Sequence, residues 1–531
     1  MESQVSLFSR TTESSEDVGT ATQGGRRRRF ALSPVGELAP VDYARLFRRS
    51  AVYVLAGALV FAALYGVLSW LKYRAYMDAR FDLGNMAQAV YNTAHGRFLE
   101  ITTGEAVPRQ MSRLGSHVDP ILAFFAVPWL VWPSPVMLLV LQSVIVATGA
   151  WPVFRLGSGV TRDPRAGALL AGAYLLYPAT GFLVLNEFHP VALATPLLIW
   201  AFLYMEEDRW VRAGVFLVLA ALCKETVPLV IGTMGAYFAL RKRSWRPLIV
   251  TALAGAYFAG AVWVVIPHFN QSQSAFIARY GEYGESAGQV IRTMLSDPAK
   301  TIRDVLAVAN LTYWSRLLWP FGFLSLMSPV TTLVAAPELM LNALSATPYQ
   351  RRIEFHYSAL AIPFLTVATV FGLMRLWRWF GGGFRRVERA MTGERVRRTT
   401  LAALVVVFAL AGNYLLGPLP FPGSTYGGYY AQKAHSTALQ EAVRLIPDDA
   451  RVSANNNAGA QLAARRVAYV FPYYDDAEWV LVDERHPFVY DRENPAVHAQ
   501  ALRSLMLDDR FHSVYSMDGV HVFRRTAPLG D

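Results

Sequence analysis

Long stretches with almost no charge constrain this chain more than any other feature. Residues 51–70, 136–154 and 401–416 carry no Asp, Glu, Lys or Arg, over lengths near the ~20 residues that a helix needs to cross a bilayer core. With no water to satisfy backbone groups there, such stretches fold as helices. Charged residues make up 17% of the 531 positions, against ~25% in ordinary globular proteins. A soluble multi-domain enzyme is thereby excluded for most of the chain. The expected fold class is a polytopic α-helical membrane protein.

The net charge of +11 comes from 50 Lys+Arg against 39 Asp+Glu. The basic residues fall in short runs beside apolar segments: 26–29, Arg45/Arg48/Arg49, Arg241/Lys242/Arg243/Arg246 and 375–398. The positive-inside rule accounts for that pattern, so no nucleic-acid partner is expected. The single Cys223 excludes an intrachain disulfide and a multi-cysteine metal site. Residues 1–50 read as a disordered, basic cytoplasmic tail.

Arginine placement then predicts a topology. A first span (51–70) leads outward to a polar loop beginning at 72. The proline-broken segment 118–132 reads as an interfacial or re-entrant helix, so the external loop extends to about 135. Further spans follow at 136–155, 166–185, 190–205, 211–224, 227–240 and 247–267, then a second external loop at 268–303. Region 313–346 goes in and returns, or dips and returns at Ser328-Pro329. Spans at 357–377 and 400–416 complete a multi-pass domain, 51–417, of about eleven spans, with nine or ten also compatible. Residues 418–531 regain charge and alternate short apolar runs, with Asp518-Gly519 as a hairpin turn. They read as a small extracytoplasmic α/β domain. The predicted location is the plasma membrane, with the N-terminus cytoplasmic.

An ionisable group at the end of a span is costly and calls for a reason. Five clusters meet that description: Phe81-Asp82-Leu83-Gly84 with Gln88, Ser116-His117-Val118-Asp119-Pro120, Asn186-Glu187-Phe188-His189-Pro190, Lys224-Glu225, and Arg351-Arg352-Ile353-Glu354-Phe355-His356-Tyr357. All fall on the external side of a topology drawn from arginine alone. Asp, Glu and His are ligands of divalent cations and the usual general bases. Asp82, His117, Glu187 and His189 are therefore the candidate metal ligands, for Mg, Mn or Zn. Blander roles are also open. Asp82 would cap a helix over 83–92. His117 and His189 would simply lie near helix-starting prolines. Lys224-Glu225 would be a solvent-facing pair, and Glu338 a first-turn acid.

The same motifs, in this order, resemble the bacterial and archaeal membrane-protein family called domain of unknown function 2079, over residues 50–525. The tail motifs Ile446-Pro447, Leu462-Ala463-Ala464-Arg465-Arg466 and Val480-Leu481-Val482-Asp483 fit as well. The layout in turn resembles membrane glycosyltransferases of the GT-C fold, which use polyprenyl-phosphate sugars as donors, commonly with a metal. That resemblance implies catalytic roles for Asp82 and Glu187. Asp82 is followed by Leu83 rather than by a second acid, a departure from many GT-C members. The implied function is transfer of a sugar from a polyprenyl-phosphate carrier to a cell-envelope glycan or protein acceptor at the outer membrane face, among membrane lipids. Gln88, Arg113, Lys224, Glu225, Arg351, Arg352, His356 and Tyr357 are the expected substrate-binding residues. A transporter or lipid flippase, or a non-catalytic envelope assembly or sensor protein, are the rival classes.

Overall fold

The first helix, Asp42–Arg74, runs for 33 residues, about 50 Å at 1.5 Å per residue. It begins before the expected span, so residues 42–50 are its first turns and not part of a disordered tail. Arg45, Arg48 and Arg49 lie within it, because arginine is a good helix former whose charge can stay in water. The computed structural model describes residues 42–104, 107–272, 275–381, 394–422, 424–485 and 495–526. The rest of the predicted tail, and residues 382–393 of the basic stretch 375–398, lie outside them.

Among the described residues, four helices are long and apolar enough to cross a membrane: Tyr43–Arg74, Pro135–Thr161, Leu248–Asn270 and Arg398–Leu416. A fifth arises if Pro164–Leu176 and Pro178–Leu185, bent by 47°, count together. The bend has a local cause. Tyr177 precedes a proline and takes an extended conformation, which the ring of Pro178 favours over the helical one. Shorter apolar helices are Pro120–Val131, Pro190–Glu206, Trp210–Ala221 and Pro329–Leu344. Length and composition together therefore support four or five spans, fewer than the eleven expected, because proline and polar breaks shorten the remaining apolar segments.

These helices differ in environment. Pro190–Glu206 is buried along nearly all its length, as expected of a helix that is apolar all round. Only 17% of the most apolar window of Leu248–Asn270 is buried inside the protein, so its apolar side chains point outward. Close packing uses small residues, as in other lipid-embedded bundles. A Cβ placed on Gly372 would lie 1.9 Å from the carbonyl oxygen of Leu324.

The polar loop after the first helix contains the helix Asn85–Ala94 and a hairpin of β1 (Glu100–Thr102) and β2 (Gln110–Ser112). The C-terminal region forms a five-stranded sheet of β3 (Val452–Ala454), β4 (Ala468–Val470), β5 (Trp479–Asp483), β6 (Phe511–Met517) and β7 (Val520–Arg525). The strand order is β4-β3-β5-β7-β6, with β3 parallel to both β4 and β5. The predicted turn joins β6 to β7, with Asp518 and Gly519 at φ of 51° and 77°, the left-handed pair that a type I′ hairpin requires. Alternation along β5 decides which helix covers which face. Leu481 packs with Leu439 of the helix Ala434–Arg444. Val480 and Val482 pack with Leu502 and Leu505 of Pro495–Met506. The sheet and the membrane helices belong to one compact unit.

Gly372→Ala is expected to lower stability by about 1–3 kcal/mol, the usual penalty for overpacking, because Leu324 presents rigid backbone. Thermal unfolding of the detergent-solubilised protein measures it.

Candidate functional site

Asp82 lies in a single wide helical turn, Arg80–Gly84, that leads into Asn85–Ala94, and its side chain caps neither helix. Its Oδ1 lies 3.5 Å from Nε2 of His189. The Asp82 side chain keeps 21% of its surface exposed, against 5% for His189, so a substrate can reach the acid but not the far side of the imidazole. The Nδ1 of His189 donates to the carbonyl of Asn186 at 2.7 Å, which turns Nε2 toward Asp82.

Glu187 sits beside them for a backbone reason. It has φ of +58°, a left-handed conformation uncommon for a residue with a Cβ and found mostly where surrounding contacts impose it. Those contacts are present. The Glu187 carbonyl accepts from Nε2 of Gln142 at 2.6 Å, and Oε1 of the same amide accepts from His189 N at 2.9 Å. The Glu187 Oε2 accepts from Leu83 N at 2.8 Å, tying this turn to the one that carries Asp82. Asn186 completes the arrangement, because its Oδ1 accepts from the backbone N of His356 at 3.0 Å. The His356 ring stacks on His189 with centroids 3.7 Å apart, and Tyr357 lies against His356 at 4.2 Å.

The two acids have opposite proton affinities. Burial works to raise Asp82, but the positive charges of His189, Arg113 and Lys72 outweigh it and hold the carboxyl below its usual range. Burial raises Glu187 well above its ordinary value, and the neighbouring Asp82 charge adds to that. The environment thus pushes the two carboxyl groups apart, Asp82 toward its ionised form and Glu187 toward its neutral one, the separation that lets paired carboxyl groups take different roles.

A second group surrounds a cavity of about 460 Å³ lined by His117, Lys224, Glu225, Arg279, Glu338 and Tyr357 among apolar side chains. Glu225 is not half of a solvent-facing pair with Lys224. Its Oε1 meets Nδ1 of His117 at 2.9 Å, and its Oε2 accepts from Val118 N at 3.1 Å. Burial opposes its charge, but His117 and Lys224 bring Glu225 down to about 2. Glu338 does lie in the first turn of the helix Ala336–Leu344. Tyr357 reaches both groups, through His356 on one side and the cavity wall on the other.

Several expected binding residues are committed elsewhere. Arg113 is buried, with Nε and Nη2 both 2.8 Å from Asp119 and Nη1 donating to Asn85 at 2.6 Å, so no free fork is left for a phosphate. Gln88 is buried and donates to Thr102 Oγ1 at 2.9 Å and to the carbonyl of Arg466 at 3.0 Å. Arg352 lies 3.5 Å from Glu354, and Arg351 donates to Asn310 Oδ1 at 3.4 Å.

The expected ligand set also divides. Asp82, Glu187 and His189 come together, whereas His117 pairs with Glu225. Among the described residues no group of three or more His, Cys, Asp or Glu side chains is arranged to hold a metal ion. One oxygen of Glu187 already faces a backbone N–H.

Arg80 escaped the sequence reading, although its place beside Phe81-Asp82 was a signal. Its buried Nη2 donates to Gln88 Oε1 at 2.7 Å, the Thr102 carbonyl at 3.2 Å and the Ala468 carbonyl on β4 at 3.0 Å. Burial, with Arg113 nearby, lowers it to about 10, so it remains a cation at neutral pH. Phe81 N donates to Asn456 Oδ1 at 3.2 Å. The C-terminal sheet thus holds the turn that carries Asp82.

A helical membrane bundle with a buried polar cluster, closed over by an α/β region, defines the class of protein. The chain belongs to the family described as Predicted membrane protein (DUF2079), which matches residues 74–522. No curated protein matches it.

Arg80→Leu should cost about 2 kcal/mol or more, since the Thr102 and Ala468 carbonyls lose their donor and each buried acceptor left unpaired costs about 1–3 kcal/mol. Faster proteolysis within residues 424–485, alongside a lower melting temperature, is the expected readout. For pH, burial first and the His189, Lys224, His117 and Arg279 charges next put His356 well below its usual value. The unfolded chain then binds the extra proton as pH falls below about 6.5. Stability from a neutral His356 is complete above that pH and declines beneath it. Between pH 7 and 5 the wild type should lose more melting temperature than His356→Gln.

Proposed function

We propose that this protein is a GT-C-like glycosyltransferase that moves a sugar from a polyprenyl-phosphate carrier to a hydroxyl of a cell-envelope acceptor at the outer face of the plasma membrane. The observation that carries this is the pairing of a partly exposed Asp82 with His189, beside a buried Glu187 that is tied to the Asp82 turn through Leu83 N. Asp82 accepts the proton of the acceptor hydroxyl as its oxygen attacks the anomeric carbon. The sugar–phosphate bond breaks, and the polyprenyl phosphate leaves with the bonding electrons. His189, oriented by Asn186, holds the Asp82 carboxylate in place. Glu187, hydrogen-bonded to Leu83 N, fixes the distance between the two loops. No step runs through a metal. In this reading the shorter helices also cross the bilayer, making about eleven passages with the C-terminal sheet outside.

A transporter or lipid flippase is the second reading, favoured by one observation: Glu225 and Glu338 line the same cavity.

Asp82→Asn keeps the size of the side chain and removes the base. Transfer from a radiolabelled polyprenyl-phosphate sugar in membranes should fall about 10²–10⁴-fold, the usual contribution of general acid–base catalysis. Glu187→Gln retains a neutral hydrogen-bonding group and should lose far less. Undiminished product with Asp82→Asn overturns the proposal, and flux of the lipid without transfer supports the second reading.

A further inference from the structure

The cavity beside the Asp82 cluster has two kinds of wall. One is apolar and thin. Phe258, Val262 and Ile266 line it from Leu248–Asn270, while Trp263 and Val264 of the same stretch are 51% and 65% exposed. A single helix therefore separates the cavity from the surroundings of the bundle. Ile291, which lines it from the helix Ala287–Ser296, is itself 38% exposed. Among the described residues, this side offers an apolar chain coming from the bilayer the side chains of Phe258, Val262, Ile266 and Ile291.

The other wall is charged, with Lys224 and Arg279 beside Glu225 and Glu338. Glu225 spends both oxygens on His117 and Val118 N. Lys224 and Arg279 face the cavity and form no ion pair among the described residues. Arg279 lies over the rings of Phe276 and Tyr357 at 4.4 Å and 5.8 Å, a placement that holds the guanidinium without neutralising it. Two cations lining a largely apolar slot attract an anionic group attached to a hydrophobic chain. Glu338 is the opposing charge in the cavity.

We infer that this cavity binds a phosphate-headed lipid, with Lys224 and Arg279 on the phosphate and the chain lying against Phe258, Val262 and Ile266. The inference rests on reading the adjoining Asp82 cluster as one that acts on a lipid-linked phosphate, and it locates that lipid. Tyr357 lines the cavity and touches His356, which stacks on His189, so a chain of ring contacts leads from the cavity wall to the partner of Asp82.

Binding alone tests it. Full-length protein in detergent is titrated with hexadecyl phosphate, hexadecanol and inorganic phosphate, followed by tryptophan fluorescence and thermal shift. Hexadecyl phosphate should bind at least about tenfold more tightly than hexadecanol, and inorganic phosphate should not compete at equal concentration. Lys224→Ala and Arg279→Ala should each weaken hexadecyl phosphate about tenfold and leave hexadecanol unchanged, whereas Glu338→Gln should tighten it several-fold. Because Glu338→Gln predicts a gain, misfolding cannot imitate the full pattern. Equal binding of phosphate and alcohol, or indifference to both cation variants, overturns the inference, as does competition by inorganic phosphate alone. Retained binding by Asp82→Asn protein supports it independently of transfer. Lost binding with intact transfer removes this pocket and leaves the enzyme reading standing.

Discussion

The buried guanidinium of Arg80 is the constraint on which the arrangement of the site depends. A cation removed from water has to find acceptors, and Arg80 finds them on three separate parts of the chain: Gln88, the β1 carbonyl of Thr102 and the β4 carbonyl of Ala468. The polar loop, its hairpin and the C-terminal sheet are thereby drawn to one point. Asp82 lies two residues further on. Its position relative to His189 follows from that anchor on one side and from the Leu83 N to Glu187 bond on the other.

The same logic of satisfaction extends through the bundle. Gln142, on the helix Pro135–Ala147, uses its single amide to hold both the Glu187 carbonyl and the His189 N–H. Asn186 then links His189 to His356. Few polar groups serve many bonds, because in an apolar surrounding each unsatisfied one is costly. Lys224 and Arg279 stand at the cavity, beside Glu225 and Glu338.

Legibility in the sequence varied with the range of the interaction. The helices and the β6–β7 turn were readable, since apolar runs and Asp518-Gly519 are local signals. The candidate acids and histidines were readable as residue types placed at span ends. Their pairings were not. His117 and Glu225 are 108 positions apart, and Leu83 and Glu187 are 104 apart, so no spacing rule connects them. Gln88 and Arg113 looked like ligand-binding groups because a polar side chain in a loop carries no mark of the partner that will occupy it.

The sequence by itself determined that the chain is a helical membrane protein with a small α/β region, because hydrophobic length and period-two alternation are properties of contiguous residues. Only the tertiary structure decided that Asp82 meets His189, that Glu187 sits buried beside them and that His117 belongs with Glu225. It also decided how many apolar helices are long enough to cross alone. Those outcomes depend on which distant segments pack together and on how far burial and neighbouring charge favour one protonation state over another.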